Sequence, residues 1–509
     1  MKKQSKRSKR VKRTSSLPQR PTSSFERLPT GIPGLDTILR GGFLRGGTYL
    51  ILGAPGAGKT IFANQLSFSE IRAGRRALYV TLLAENHGRM FGHLESLTFF
   101  DRSLISDQMQ YVSGYNVLEK DGLEGLLKLL GVLAQRHQCS VIFVDGVASA
   151  DELSDSPISF KKFVHNLNSV LGISGCTTFL LSSVQGSSSR PEYTMVDGIV
   201  SLTHEQSGMR TVREIEVPKF RGSGHLYGRH FFDITEQGIT IYPRVEAALE
   251  VDARPIPPSS KRLKLGDPKF DSLMGGGLVP GSVTALLGPA GTGKTTIGTR
   301  FLEEGASQGE LGMFVNFYEH IDRLDPKLKS FGSRFGSFVK SGAIQVIRHL
   351  PSEYLLDKVV YEILRDAREK KARRIFIDGS GALKEKGIIG KERLFDVMKA
   401  MFAEFRHLGV TTVFTEETDA ASGPHNAGLS YDSAISDNII EFRHAQIHDR
   451  RTQIIQVLKS RESALDPGFY ELVLTKKGPR LGQTVEFTEP FLPVVQYSGG
   501  PRAKGLEGP

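Results

Sequence analysis

GAPGAGKT at residues 53–60 and GPAGTGKT at 288–295 are the two stretches that decide the fold. Both fit GxxxxGK[ST], a loop whose glycines let backbone N–H groups wrap around phosphate. A strand-like run precedes each, GTYLIL (47–52) and SVTALL (282–287). A helix-like stretch follows each, IFANQLSFSEIRAG (61–74) and TIGTRFLEEGASQG (296–309). The helix N-terminus adds positive potential at the phosphates. Gly53, Ala54, Pro55, Gly56, Ala57, Gly58, Lys59 and Thr60 are therefore expected to cradle ATP in the first copy. Gly288, Pro289, Ala290, Gly291, Thr292, Gly293, Lys294 and Thr295 are expected to do so in the second. Lys59 and Lys294 should reach the β and γ phosphates, and Thr60 and Thr295 should place a hydroxyl on Mg²⁺.

The repeat extends well beyond the loops. TGIPGLDTILRGGFLRGG (30–47) parallels LGDPKFDSLMGGGLVPGS (265–282), VIFVDG (141–146) parallels RIFIDG (374–379), and KFRG (219–222) has a looser counterpart in KSRE (459–462). Order and spacing hold over a domain's length, so the unit repeated is a whole domain. Apolar runs without alternation, such as TTFLLSS and TTVFTEE, suit strands buried on both faces. Alternating with amphipathic stretches, they point to a parallel α/β sheet flanked by helices, made twice. The expected organisation is a tail over 1–24, a first domain over 25–245, a linker over 246–262, a second domain over 263–487 and a C-terminal tail over 488–509. DARPIPPSSKR (252–262) has linker composition.

The chain has 509 residues, a hydrophobic fraction of 39% and a net charge of +11. Nine Lys or Arg and no acid fall in residues 1–20. That tail is too polar to bury a core and reads as disordered, with nucleic acid or an acidic partner as candidate ligands. No apolar run is long enough to span a bilayer, and no secretory signal follows the basic start, so a cytoplasmic protein is expected. The two cysteines, Cys139 and Cys176, form no metal-binding motif and read as core residues.

Asp145 and Asp378 end apolar strands, which puts a carboxylate at the sheet edge beside each phosphate loop, within reach of the hydrated Mg²⁺. Hydrolysis also needs a group that orients water. Glu85 in YVTLLAEN and Glu319 in VNFYEH hold that place after the next strand. Lys219 with Arg221, and Lys459 with Arg461, alternate along strands and share a face, as cations aimed at a neighbour's γ phosphate would.

Together TGIPGLD, both phosphate loops, both Asp-ending strands and KFRG resemble the KaiC family, two-domain ATPases of the cyanobacterial circadian clock and their bacterial and archaeal homologues. The resemblance covers nearly all of 25–485. It implies two tandem RecA-like P-loop NTPase domains, ATP and Mg²⁺ at subunit interfaces, a ring homohexamer of two stacked tiers and regulatory protein partners. It also implies trans-acting roles for Lys219, Arg221, Lys459 and Arg461. The chain departs from the family where two consecutive glutamates are usual: it has Glu319-His320 in the second half and Ala84-Glu85-Asn86 in the first. Clock-type members phosphorylate an adjacent Ser-Thr pair, and here Ser433 is followed by Ala434. Single-site autophosphorylation of Ser433 is the reading left open. Three functions compete: an ATP-hydrolysing regulatory ring with serine autokinase activity, a nucleic-acid-handling RecA relative, and a nucleotide-gated scaffold with little turnover.

Overall fold

The computed structural model describes residues 26–83, 87–154, 156–183, 194–207, 210–249, 261–317, 319–348, 355–381, 391–418, 433–447, 450–461 and 466–485. They fall into two compact units, one within 1–204 and 213–241, the other within 205–212 and 242–509.

In the first unit β1 (Arg27–Leu28) pairs antiparallel with β2 (Phe43–Leu44). The main sheet holds β3 (Thr48–Gly53), β4 (Ala77–Thr81), β5 (Met109–Ser113), β6 (Val141–Asp145), β7 (Thr177–Ser182), β8 (Gly198–Ser207), β9 (Arg210–Phe220), β10 (Arg229–Thr235) and β11 (Gly238–Tyr242). Their spatial order is β11-β10-β9-β8-β3-β7-β6-β4-β5. Every neighbouring pair from β8 to β5 is parallel.

The second sheet contains β12 (Val283–Gly288), β13 (Gly312–Asn316), β14 (Ile344–Arg348), β15 (Arg374–Asp378), β16 (Thr411–Glu417), β17 (Asn438–Ile447), β18 (Arg450–Ser460), β19 (Phe469–Thr475) and β20 (Gly478–Val485). Its order is β14-β13-β15-β16-β12-β17-β18-β19-β20. Read from the other end, it is the same arrangement strand for strand. The sequence repeat is thus a repeat of topology, and both units are RecA-like α/β folds with the phosphate-loop strand at the centre.

The unbroken apolar runs are explained by burial on both faces. In β6 and β4, Ile142, Val144, Leu78 and Val80 pack with Leu126, Leu130, Val164 and Leu167 from the helices Tyr115–His137 and Pro157–Ile173. The intervening Phe143 points the other way and stacks on Phe179 at 4.8 Å and 11°. The second unit repeats this alternation: Ile375 and Ile377 join one core cluster, while Phe376 joins the other and stacks on Phe314 at 5.5 Å. Cys139 and Cys176 are buried in the first of these cores, and burial pushes the Cys139 thiol up to about 11.

The matching leading segments are structural. Asp36 accepts the Thr30 amide at 3.0 Å, and Asp271 accepts the Leu265 amide at 2.6 Å. Each carboxylate thereby fastens the segment that feeds the central strand. Residues Val245–Ala248 form a short helix in the second unit. The Val245 amide donates to Asp357 at 3.0 Å, and Arg393 bridges Asp357 and Glu246. The expected tails over 1–24 and 488–509 lie outside the described residues. Among the described residues no helix is long and apolar enough to cross a membrane.

Candidate functional site

Each phosphate loop leaves the C-terminal end of the central strand and closes on a helix, Lys59–Arg72 or Lys294–Ser307. The helix is entered through a glycine in the left-handed region, Gly58 at φ 100° and Gly293 at φ 97°, where a side chain would be strained. Neither glycine supplies a side-chain cap. The first N–H groups of both helices therefore face the loop without one, as an anion site requires. Gly288 has a second reason to be glycine: a Cβ there would come within 2.3 Å of the Phe442 carbonyl.

The two lysines are held alike. Lys59 Nζ donates to the carbonyls of Gly53 (2.7 Å) and Ala54 (3.1 Å), and Lys294 Nζ to those of Gly288 (2.6 Å) and Pro289 (2.7 Å). An ammonium has three donors, so one remains for a phosphate. Burial lowers the pKa of both, opposed at Lys59 by Asp145 and at Lys294 by Glu417 and Asp378.

Asp145 and Asp378 occupy the same place but are held by different hydroxyls. In the second unit Asp378 accepts from Thr295 Oγ1 (3.0 Å) and from Thr415 Oγ1 on β16 (2.7 Å). In the first unit the Tyr79 phenol on β4 donates to Asp145 Oδ2, and the Thr60 hydroxyl donates to Tyr79. The exchange is reciprocal: Phe314 stands at the register of Tyr79, and Leu181 at that of Thr415. Desolvation raises the pKa of Asp378, while Thr415, Thr295 and Lys294 pull it back. The donor set suits Mg²⁺: a threonine hydroxyl, a carboxylate and substrate phosphates are hard oxygen ligands. Among the described residues no cluster of three or more His, Cys, Asp or Glu forms a protein-only metal cage.

Glu319 lies just past β13, pinned by backbone bonds to the Asn316 side chain, and its charge reaches Asp378. His320 caps the helix Ile321–Ser330 by accepting the Asp322 amide at 3.3 Å. The residue that replaces the family's second glutamate thus performs a helix-capping task. Glu85 lies outside the described residues.

The cation pairs stand at the other end of each sheet. Arg461 N donates to Asp437 O, and Asp437 N to Val283 O, at the start of β12. Lys459 Nζ donates to the carbonyls of Ser433 and Ser436. Ile439, opposite Lys459, pairs with Ala285, three residues before Gly288. At 3.3 Å per residue the phosphate loop starts roughly 10 Å further along the strand. The first unit matches: Arg221 N donates to Asp197 O, and Asp197 N to Thr48 O at the start of β3. Lys219 and Arg221 both donate to the Thr194 carbonyl. These cations therefore point away from the phosphate loop of their own unit. Ser433, half-buried beside Lys459, shares their edge. Burial, then the adjacent arginine, lowers the pKa of Lys219 and Lys459.

Two cavities adjoin the loops, and apart from the loop residues their linings carry no sequence motif. One of about 1020 Å³ runs from Thr60 past Arg89, Met90 and His93 to Ile234. The other, about 620 Å³, lies between Ala290 and Gly291 and the strand residues His444, Arg451 and Gln453. Either volume accommodates a nucleoside.

Comparison with known proteins gives one consistent result. A family model described as "ATPase: KaiC" matches twice, over residues 28–246 and 263–484. The chain is 26% identical to the circadian clock oscillator protein KaiC of Rippkaea orientalis over 483 residues, covering 92% of this chain and 91% of the relative. It is 27% identical to the protein of the same name from Thermostichus vulcanus, with the same coverage. It is 26% identical to circadian clock oscillator protein KaiC 1 of Synechocystis sp., covering 91% and 90%.

Proposed function

Since this chain belongs to the KaiC family of ATPases, we propose that it is a regulatory ATPase whose active sites are completed between copies of itself. The observation that carries this reading is the placement of charge in each sheet. The phosphate loop, its lysine and the metal-binding carboxylate gather at one end, and the paired cations at the other. A cation that cannot reach its own γ phosphate can reach a neighbour's, which favours head-to-tail assembly into a ring.

In this reading Lys59 and Lys294 bind the β and γ phosphates, and Lys219, Arg221, Lys459 and Arg461 neutralise the charge that develops on a neighbour's γ phosphate. Thr60 with Asp145, and Thr295 with Asp378, hold Mg²⁺, which supplies charge neutralisation on the phosphate oxygens. Glu319 and Glu85 orient water. Ser433 sits at the cation end, so its phosphorylation would draw on ATP bound to the adjacent copy. Partners beyond self-assembly are regulatory proteins, as the resemblance to the family implies. Nucleic-acid binding belongs to residues 1–20, outside the described part, and a salt-sensitive DNA titration tests it.

Turnover of γ-labelled ATP tests the reading, with label retained on protein measured in the same reaction. Wild type, Lys59→Ala, Lys294→Ala and Ser433→Ala are compared. Released phosphate that falls in each lysine variant supports the ATPase, and protein-bound label that disappears in Ser433→Ala supports the autokinase. Binding of ATP with neither signal would favour the nucleotide-gated scaffold.

A further inference from the structure

The second site holds a carboxylate that no motif announces. Strand β16 runs parallel to β12 and ends at Glu417, which pairs in register with Gly288 at the mouth of the phosphate loop. The next residue, Thr418, donates its amide to the Gly288 carbonyl at 3.3 Å, the same carbonyl that accepts Lys294 Nζ at 2.6 Å. Glu417 is therefore one residue from the atom that anchors the phosphate-loop lysine, and its charge acts on that lysine. Its side chain is exposed and makes no hydrogen bond or ion pair among the described residues. At the equivalent register of the first unit β7 ends at Ser182 opposite Leu52, and Ser183 follows.

Strand order gives this placement its meaning. Asp378 and Glu417 end β15 and β16, Glu319 follows the end of β13, and the phosphate-loop strand β12 comes next after β16. Strands lie about 4.8 Å apart, so Glu417 ends the strand next to the phosphate-loop strand, whereas Glu319 follows a strand three places away. Exposed and uncommitted, Glu417 can take a water on the γ-phosphate side. With His320 occupied as a helix cap, Glu319 is the carboxylate left at the position where the family usually has two.

We propose that Glu417 is a catalytic carboxylate of the second site, a role that rests on the ATPase reading. It accepts a proton from the attacking water as the water oxygen bonds to the γ phosphorus. The bond from that phosphorus to the bridging oxygen breaks, and ADP and phosphate leave. Thr295 and Asp378 would hold Mg²⁺, and Glu417 is assigned no part in binding it.

The test uses the full chain. ATP turnover is measured across pH in wild type, Lys294→Ala, Glu417→Gln and the double variant, together with bound ATP and ADP after acid quench and the melting temperature. The difference between wild type and Lys294→Ala isolates second-site turnover. Glu417→Gln is expected to lower that share at least about tenfold and to raise the bound ATP-to-ADP ratio. Total bound nucleotide and melting should stay at wild-type values. The double variant should match Lys294→Ala. Second-site turnover that survives in Glu417→Gln overturns the proposal and spares the ATPase reading. So does a loss explained by missing nucleotide or a lowered melting temperature. A Lys294→Ala rate equal to wild type also removes the proposal, because the second site then does no hydrolysis. A wild type that binds ATP without turning it over removes both.

Discussion

Replacing Tyr79 by phenylalanine would remove one hydroxyl from the first site and little else. The ring should fit, because Phe314 already occupies the equivalent register in the second unit, stacked on Phe376. What is lost is the bond to Asp145 and the acceptor for Thr60. A hydrogen bond to a charged group contributes about 1.5–3 kcal/mol net. The first unit should therefore melt roughly 3–12 °C lower, given 2–4 °C per kcal/mol for a unit of this size. The same bond orients the carboxylate for Mg²⁺. The Mg²⁺ concentration that half-saturates ATP turnover, measured in a Lys294→Ala background, should rise on the order of tenfold. Adding Leu181→Thr copies the arrangement of the second unit, where Thr415 makes the bond from the neighbouring strand, and should recover part of both losses. Unchanged melting together with an unchanged Mg²⁺ requirement in Tyr79→Phe would refute the reasoning.

Thr415→Val should weaken the second site alone. Raising its Mg²⁺ requirement while leaving the Lys59-dependent turnover intact is the expected result, and equal loss at both sites counts against it. Chains carrying Lys294→Ala mixed with chains carrying Lys459→Ala should recover second-site turnover that neither shows alone, since one keeps the loop and the other the cation. Failure of mixed assemblies to exceed the average of the two parents would argue against trans completion. Glu70 is buried and bonded by Arg75, Arg45 and Ser140. Desolvation raises its pKa, but those donors outweigh it and the net pKa is lowered. Its stabilisation is therefore present above the ordinary carboxylate pKa, near 4.5, and is lost as pH falls through the lowered value. Glu70→Gln should cost the first unit about 3–5 kcal/mol at neutral pH and remove that acid dependence. A wild-type acid-unfolding curve in the variant would contradict the assignment.

Much of this was legible in the sequence, for definable reasons. The phosphate loops, the Asp-ending strands and the repeat are local patterns, and each is realised as a local structure. The hydroxyl exchange was not legible, because Tyr79 and Thr415 meet their carboxylates across strands far apart in the chain. The cavity residues Arg89, His93 and Arg451 sit on elements with no motif of their own. Glu417 lies in TTVFTEE, whose apolar run identifies a strand but does not say which loop the strand will end beside. His320 reads as a missing glutamate in the sequence, whereas the fold gives it a cap to make.

The polarity of each sheet carries one more consequence. On the proposed trans reading, loop end and cation end are two different surfaces, each the complement of the other. In a head-to-tail row each copy's loop end would meet its neighbour's cation end. An open row of copies always exposes one bare loop at one end and one bare cation pair at the other. On the proposed trans reading, closing the row on itself would satisfy every copy, so catalytic completeness and closure of the assembly would become the same event.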